Sequence, residues 1–115
     1  MLPQVGRLRK KRDFEQVYQR GRRVATESVV LHVLTRGDDA PTRMGFVVGR
    51  RFGTHVARNR VKRRMRAAAR PLWQQLPPGY DIVWVARAAA AHLPLEQLQR
   101  QMQVALKQAG LGGAL

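Results

Sequence analysis

Residues 48–66 read Val48-Gly49-Arg50-Arg51-Phe52-Gly53-Thr54-His55-Val56-Ala57-Arg58-Asn59-Arg60-Val61-Lys62-Arg63-Arg64-Met65-Arg66, and their periodicity decides the fold. Thr54 is a candidate N-cap, residues 55–70 read as a helix, and Pro71 marks the expected limit. At about 100° per residue, Ala57, Val61, Met65, Ala68 and Leu72 fall within an arc of roughly 80°, the side that faces a core. Arg58, Lys62 and Arg66 form a row beside that arc, Asn59, Arg63 and Arg70 form the next row, and Arg60 and Arg64 flank the other side. Like charges at this spacing repel, by roughly 0.2–0.5 kcal/mol per pair. No acidic residue lies between Asp39 and Asp81 to relieve the repulsion. A polyanion would relieve it, and phosphates neutralised by such a row release counterions, which gives strong, salt-sensitive binding with little sequence readout.

Outward from this helix the pattern stays that of a folded domain. Upstream, Phe14, Val17 and Tyr18 stand at i, i+3 and i+4 of a helix over residues 11–20, with Gly21 as its stop. Residues 28–35 and 44–49 are rich in β-branched and aliphatic types and flank the turn-like Gly37-Asp38-Asp39-Ala40-Pro41, which predicts a two-stranded hairpin. Downstream, Pro77-Pro78-Gly79 is a turn, and Asp81-Ile82-Val83-Trp84-Val85-Ala86 is a strand buried on both faces. Residues 94–109 open with Pro94 and carry Leu95, Leu98, Met102, Ala105, Leu106 and Ala109 on one helical face. Trp73 and Trp84 read as core residues, and the tail from Gly110 to Leu115 is expected to fray. The order helix, hairpin, helix, strand, helix is an α+β plan in which helices cover a small sheet.

The totals agree. A chain of 115 residues fits a single domain over 1–115, with order expected over about 7–109. Lys and Arg number 22 against 7 acids, a net charge of +15, and only Lys10, Lys11, Lys62 and Lys107 are Lys. The planar guanidinium fork matches phosphate oxygens and stacks on bases, so this bias favours a nucleic-acid partner. A GC-rich genome accounts equally well for the ratio of Arg to Lys, but not for the net charge. There is no Cys, hence no disulfide framework or thiolate site, in keeping with a reducing cytoplasm. No window has the apolar length of a membrane span, and the start lacks a signal-peptide core, so a cytoplasmic protein is expected.

The string Arg58-Asn59-Arg60-Val61-Lys62-Arg63, preceded by Val48-Gly49-Arg50-Arg51-Phe52-Gly53, resembles the RNR signature of the bacterial ribonuclease P protein family. Arg12-Asp13-Phe14 through Tyr18 and Gly21, and Tyr80-Asp81-Ile82-Val83-Trp84-Val85-Ala86-Arg87, extend the resemblance over about residues 7–109. The resemblance implies an α+β fold of αβββαβα type, a small mixed sheet covered by helices with a left-handed β-α-β crossover, ribosomal protein S5 domain 2-like. It implies that the chain is the protein subunit of a ribonucleoprotein that removes the 5′ leader of precursor tRNA, working as a monomer in a 1:1 complex with ribonuclease P RNA. By the same resemblance Arg58, Asn59, Arg60, Arg63 and Arg64 contact the RNA subunit. Phe14, Tyr18, His32, Lys62 and Arg66 line the path of the single-stranded leader, where aromatic faces stack on unpaired bases. At His32 relatives often carry an aromatic residue, and the histidine departs from that pattern.

Nothing in the chain reads as a protein active site. His32, His55 and His92 fall in three different elements, the acids show no metal-ligand pattern, and Asp38-Asp39 reads as turn chemistry. The resemblance agrees: the protein binds no cofactor or metal itself, and the RNA subunit performs a hydrolysis that requires Mg2+. Two other readings stand beside this one. A ribosomal or other structural RNA-binding protein would have the same size and charge. A DNA-groove reader is disfavoured by charge that covers nearly all of the helix outside its apolar arc.

Overall fold

The computed structural model describes residues 2–111. Helix α1 (Lys11–Arg20) leads into strands β1 (Arg22–Ala25), β2 (Val29–Thr35) and β3 (Arg43–Val47). Helix α2 (His55–Gln74), strand β4 (Tyr80–Ala86) and helix α3 (Leu95–Gln108) follow. The sheet order is β1-β2-β4-β3, antiparallel except for the parallel pair β3 and β4, which α2 connects. This is the αβββαβα order, a mixed sheet with helices on both faces.

The expected hairpin of residues 28–35 with 44–49 does not form. Strand β2 pairs with β1 and with β4, and β3 pairs with β4 alone. The reason lies in β4, which is buried along nearly its whole length and therefore has to sit between two strands rather than at an edge. The connection from β2 to β3 must then cross two strand spacings, about 10 Å. Asp38 still does turn chemistry there, accepting from the Ala40 N–H at 3.1 Å. The true hairpin is β1 with β2, and β1, short and Arg-bearing, was not legible as a strand.

Helices α2 and α3 cover one face of the sheet, where Leu31, Val33, Met44, Ile82 and Trp84 meet Val61, Met65, Leu72, Leu98, Met102 and Leu106. Trp84, with 0% exposure, is the largest wholly buried side chain, whereas Trp73 is half-buried and donates Nε1–H to the Thr42 carbonyl at 2.6 Å. Thr54 caps α2 as expected, accepting from the Ala57 N–H at 3.1 Å. Pro71 does not end α2, which runs on to Gln74. A proline there removes one backbone donor near the end of the helix, and the buried Leu72 and the anchored Trp73 hold the final turn against that loss.

Both ends of the described chain pack further than the sequence implied. Leu2 is 2% exposed and joins the core, and Arg7 forms an isolated parallel bridge with Met44 at the outer edge of β3. At the other end Gly110 (φ 87°) donates to the Lys107 carbonyl and Leu111 to the Leu106 carbonyl, a Schellman motif that seats Leu111 in the core at 3% exposure. The expected fraying therefore does not apply to Gly110 and Leu111, and the rest of that tail lies outside the described residues.

Helix α1 lies on the opposite face. Val17 packs with Leu8 and Val83, and Phe14, Leu34, Val47 and Val85 adjoin them. Two close approaches set this helix on the sheet. Gly21 has an ordinary φ of −82°, yet a Cβ there would lie 2.7 Å from the Val33 carbonyl oxygen. A Cβ at Gly45 would overlap the Phe14 ring. Gly45→Ala should cost about 1–3 kcal/mol of stability through overpacking, read by urea denaturation. An unchanged midpoint would show that the ring moves aside freely.

Candidate nucleic-acid interface

The acids and bases of the fold are segregated. Asp81 (3% exposed) accepts from Arg43 Nε at 2.9 Å and Nη2 at 2.7 Å, and from Arg36 Nη1 at 2.5 Å. Arg43 Nη1 reaches Asp13 at 3.5 Å, and Arg36 reaches Asp38 at 3.1 Å. The hydrogen bonds that Arg43 donates to Asp81 raise the Arg43 pKa. For Arg36, burial works against the charged form, but hydrogen bonds with Asp38 and Asp81 outweigh it and the pKa rises. Among the described residues these are the only ion pairs, so the cations of α2 have no carboxylate partner.

Helix α2 buries Val61, Met65, Ala68, Ala69 and Leu72, essentially the arc read from the sequence. Arg60, Arg63, Arg66 and Arg70 are exposed, while Arg58, Asn59 and Lys62 are half-buried along its sides. The Arg58 Nε is buried without a hydrogen-bond partner. Arg64 differs from the other candidate RNA contacts: its Nε donates to the Ala90 carbonyl at 3.2 Å, and Nη2 to the Leu93 carbonyl. Its guanidinium is thus turned inward, bracing α2 against the segment before α3. Arg64→Ala should lower stability by about 1–2 kcal/mol, the loss expected when charge-assisted hydrogen bonds go. Arg60→Ala should leave stability within about 0.5 kcal/mol, as a surface substitution does. Thermal melts of the two variants check the contrast.

The candidate leader residues fall into two neighbouring groups. Phe14 and Arg66 line one concavity of about 300 Å3 at the outer edge of β3, together with Arg7, Arg9 and Phe46. The Arg66 guanidinium lies 5.8 Å from the centroid of the Phe46 ring. On the other side of α1, Tyr18 (43% exposed) meets His32 edge to face, with ring centroids 4.9 Å apart. Burial, and then the nearby Arg23, lower the His32 pKa, which favours the neutral ring, and burial raises that of Tyr18. Lys62 sits one turn before Arg66 and is not part of the concavity's wall. Half-buried Val30, Val47 and Val85 lie one register step beyond His32, Gly45 and Val83, so this sheet face continues past α1. A separate, more open hollow of about 610 Å3 is lined by Glu27, Arg51, Phe52, Arg87 and His92.

Sequence reasoning missed Arg7, Arg9 and Phe46, because only the bridge of Arg7 to Met44 brings the N-terminal segment beside β3. Among the described residues no three His, Cys, Asp or Glu side chains come together as a metal site. Among the described residues no helix is long and apolar enough to cross a membrane.

A four-stranded α+β domain with an uncompensated cationic helix and an aromatic-and-arginine cleft defines the class: a small basic protein shaped for a polyanion. Residues 2–110 match the family model described as Ribonuclease P, and the chain belongs to that family. It is 44% identical to the ribonuclease P protein component of Symbiobacterium thermophilum over 105 residues, covering 91% of each chain. It is 36% identical to that of Gluconacetobacter diazotrophicus over 115 residues, 99% of each. The RNase P protein of Staphylococcus aureus superposes with a TM-score of 0.81 at 27% identity, over 94% of this chain and 98% of that one. That of Thermotoga maritima gives 0.77 at 30%, over 89% and 96%. The subunit role follows from this membership, and the alternative of a ribosomal or other structural RNA-binding protein is not favoured.

Proposed function

We propose that this subunit binds ribonuclease P RNA through α2 and the 5′ leader of precursor tRNA through the α1 face, in a cytoplasmic 1:1 complex. The observation that carries this reading is the charge segregation: the buried Asp81 is held by Arg36 and Arg43, and among the described residues no α2 cation has a carboxylate partner, which leaves those cations for phosphates. Arg58, Asn59, Arg60 and Arg63 serve as RNA-subunit contacts, with Arg64 holding the helix rather than the RNA. Phe14, Tyr18 and His32 offer ring faces to unpaired bases, and Lys62 and Arg66 offer cations to the leader phosphates. Hydrolysis belongs to the RNA subunit, which requires Mg2+. The protein adds substrate affinity and favours precursor over product.

The test compares two double variants in the reconstituted holoenzyme. Lys62→Ala with Arg66→Ala should weaken precursor binding by about tenfold and leave mature tRNA unchanged, the loss of two partly exposed phosphate contacts. Arg58→Ala with Arg60→Ala should instead weaken assembly with the RNA. Equal losses for precursor and mature tRNA from the first pair would remove the leader role.

A further inference from the structure

Helix α1 is lightly anchored for an element that carries two ring faces of the proposed cleft. Val17 is its only wholly buried side chain, and its N-cap, Lys10, makes no side-chain capping bond. Its C-terminal end is fixed by the close approach of Gly21 to Val33. At its N-terminal end Asp13 stands in the first turn, directly before Phe14, and takes the remaining arm of Arg43 at 3.5 Å. Arg43 is not free to swing, because its Nε and Nη2 grip the buried Asp81 as a fork. Two residues along β3 lies Gly45, the floor against which the Phe14 ring rests. The chain Asp81, Arg43, Asp13 therefore runs from the start of the central strand, through an edge strand, to the foot of α1.

From this geometry we infer that Arg43, oriented by Asp81, is a positioning residue: through Asp13 it fixes the pitch of α1 over the sheet, and so the spacing of the cleft that separates precursor from mature tRNA. The inference rests on the leader reading above. Neither Arg43 nor Asp13 touches the RNA in this account, and their effect passes through Phe14 and Tyr18. A conserved positive charge is not enough, since a lysine at position 43 has no planar fork to hold Asp81 and Asp13 together.

The experiment uses the full chain reconstituted with a bacterial ribonuclease P RNA and reads the ratio of precursor to mature tRNA affinity. Asp13→Ala removes the acceptor of the Arg43 Nη1 arm and leaves the Asp81 pairs intact, so the fold persists. It should lower the ratio by about threefold to fivefold, the scale of a partly exposed ion pair, with affinity for the RNA subunit unchanged. Arg43→Lys should lower the ratio likewise, and combining the two should add nothing further, since both cut the same tether. Phe14→Ala is run beside them. If Phe14→Ala lowers the ratio while Asp13→Ala lowers only the melting temperature, Asp13 and Arg43 are merely structural and the inference falls while the leader reading stands. If Phe14→Ala also leaves the ratio unchanged, the leader reading fails and takes the inference with it.

Discussion

Asp81→Ala should destabilise the protein by about 3 kcal/mol, the lower part of the range for breaking a buried ion pair. The lower part applies because the partners differ in exposure: the Asp81 side chain is 4% exposed, but those of Arg36 and Arg43 are 14% and 32% exposed. Removing the carboxylate strands two guanidinium groups that meet no other buried acid. Arg36 keeps Asp38 and the carbonyls of Tyr80, Ala40 and Pro41, whereas Arg43 is left with Asp13 alone. Asp81→Asn, which still accepts hydrogen bonds, should fall between the variant and the parent. Urea denaturation followed by circular dichroism reads the difference, and a loss below about 1 kcal/mol would mean that water screens the pairs as at an open surface.

Replacing Arg58, Arg60 and Arg63 together by Gln should weaken binding to ribonuclease P RNA by about 100-fold, on the estimate of about 1 kcal/mol for each phosphate contact. The salt dependence is the more telling readout: the slope of log K against log salt should become shallower by about two to three units. Stability should hold or rise slightly, because three mutually repelling charges leave the helix while its buried arc is untouched. A variant that binds as tightly as the parent, with the same slope, would show that RNA lies elsewhere on the surface.

The sequence showed some of this arrangement well and some poorly, for physical reasons. The apolar arc of α2, the Thr54 cap and the doubly buried β4 are local signals, set by helical or strand periodicity within a few residues. The pairing of β2 with β4 rather than β3 is a tertiary outcome of burying β4 on both faces, which no turn motif between Thr35 and Arg43 announces. Pro71 was a fair stop signal that packing of Leu72 and Trp73 overrode. The charge count located the cationic helix but not the exceptions within it. Arg43 lies in the same acid-free stretch as Arg60, yet the fold brings Asp81 to it, and Arg64 turns to backbone carbonyls that lie far along the chain. Phe14 and Tyr18 were legible as a stripe, but the concavity that Phe14 shares with Arg7, Arg9 and Phe46 forms only once the N-terminal segment settles beside β3.

The central claim is that this chain assists an RNA catalyst, and cleavage of precursor tRNA at low magnesium tests it most directly. A bacterial ribonuclease P RNA is assayed with and without the purified protein, beside a protein-only control. Cleavage that needs both components is the predicted result. No stimulation, despite tight binding of the protein to the RNA, would contradict it.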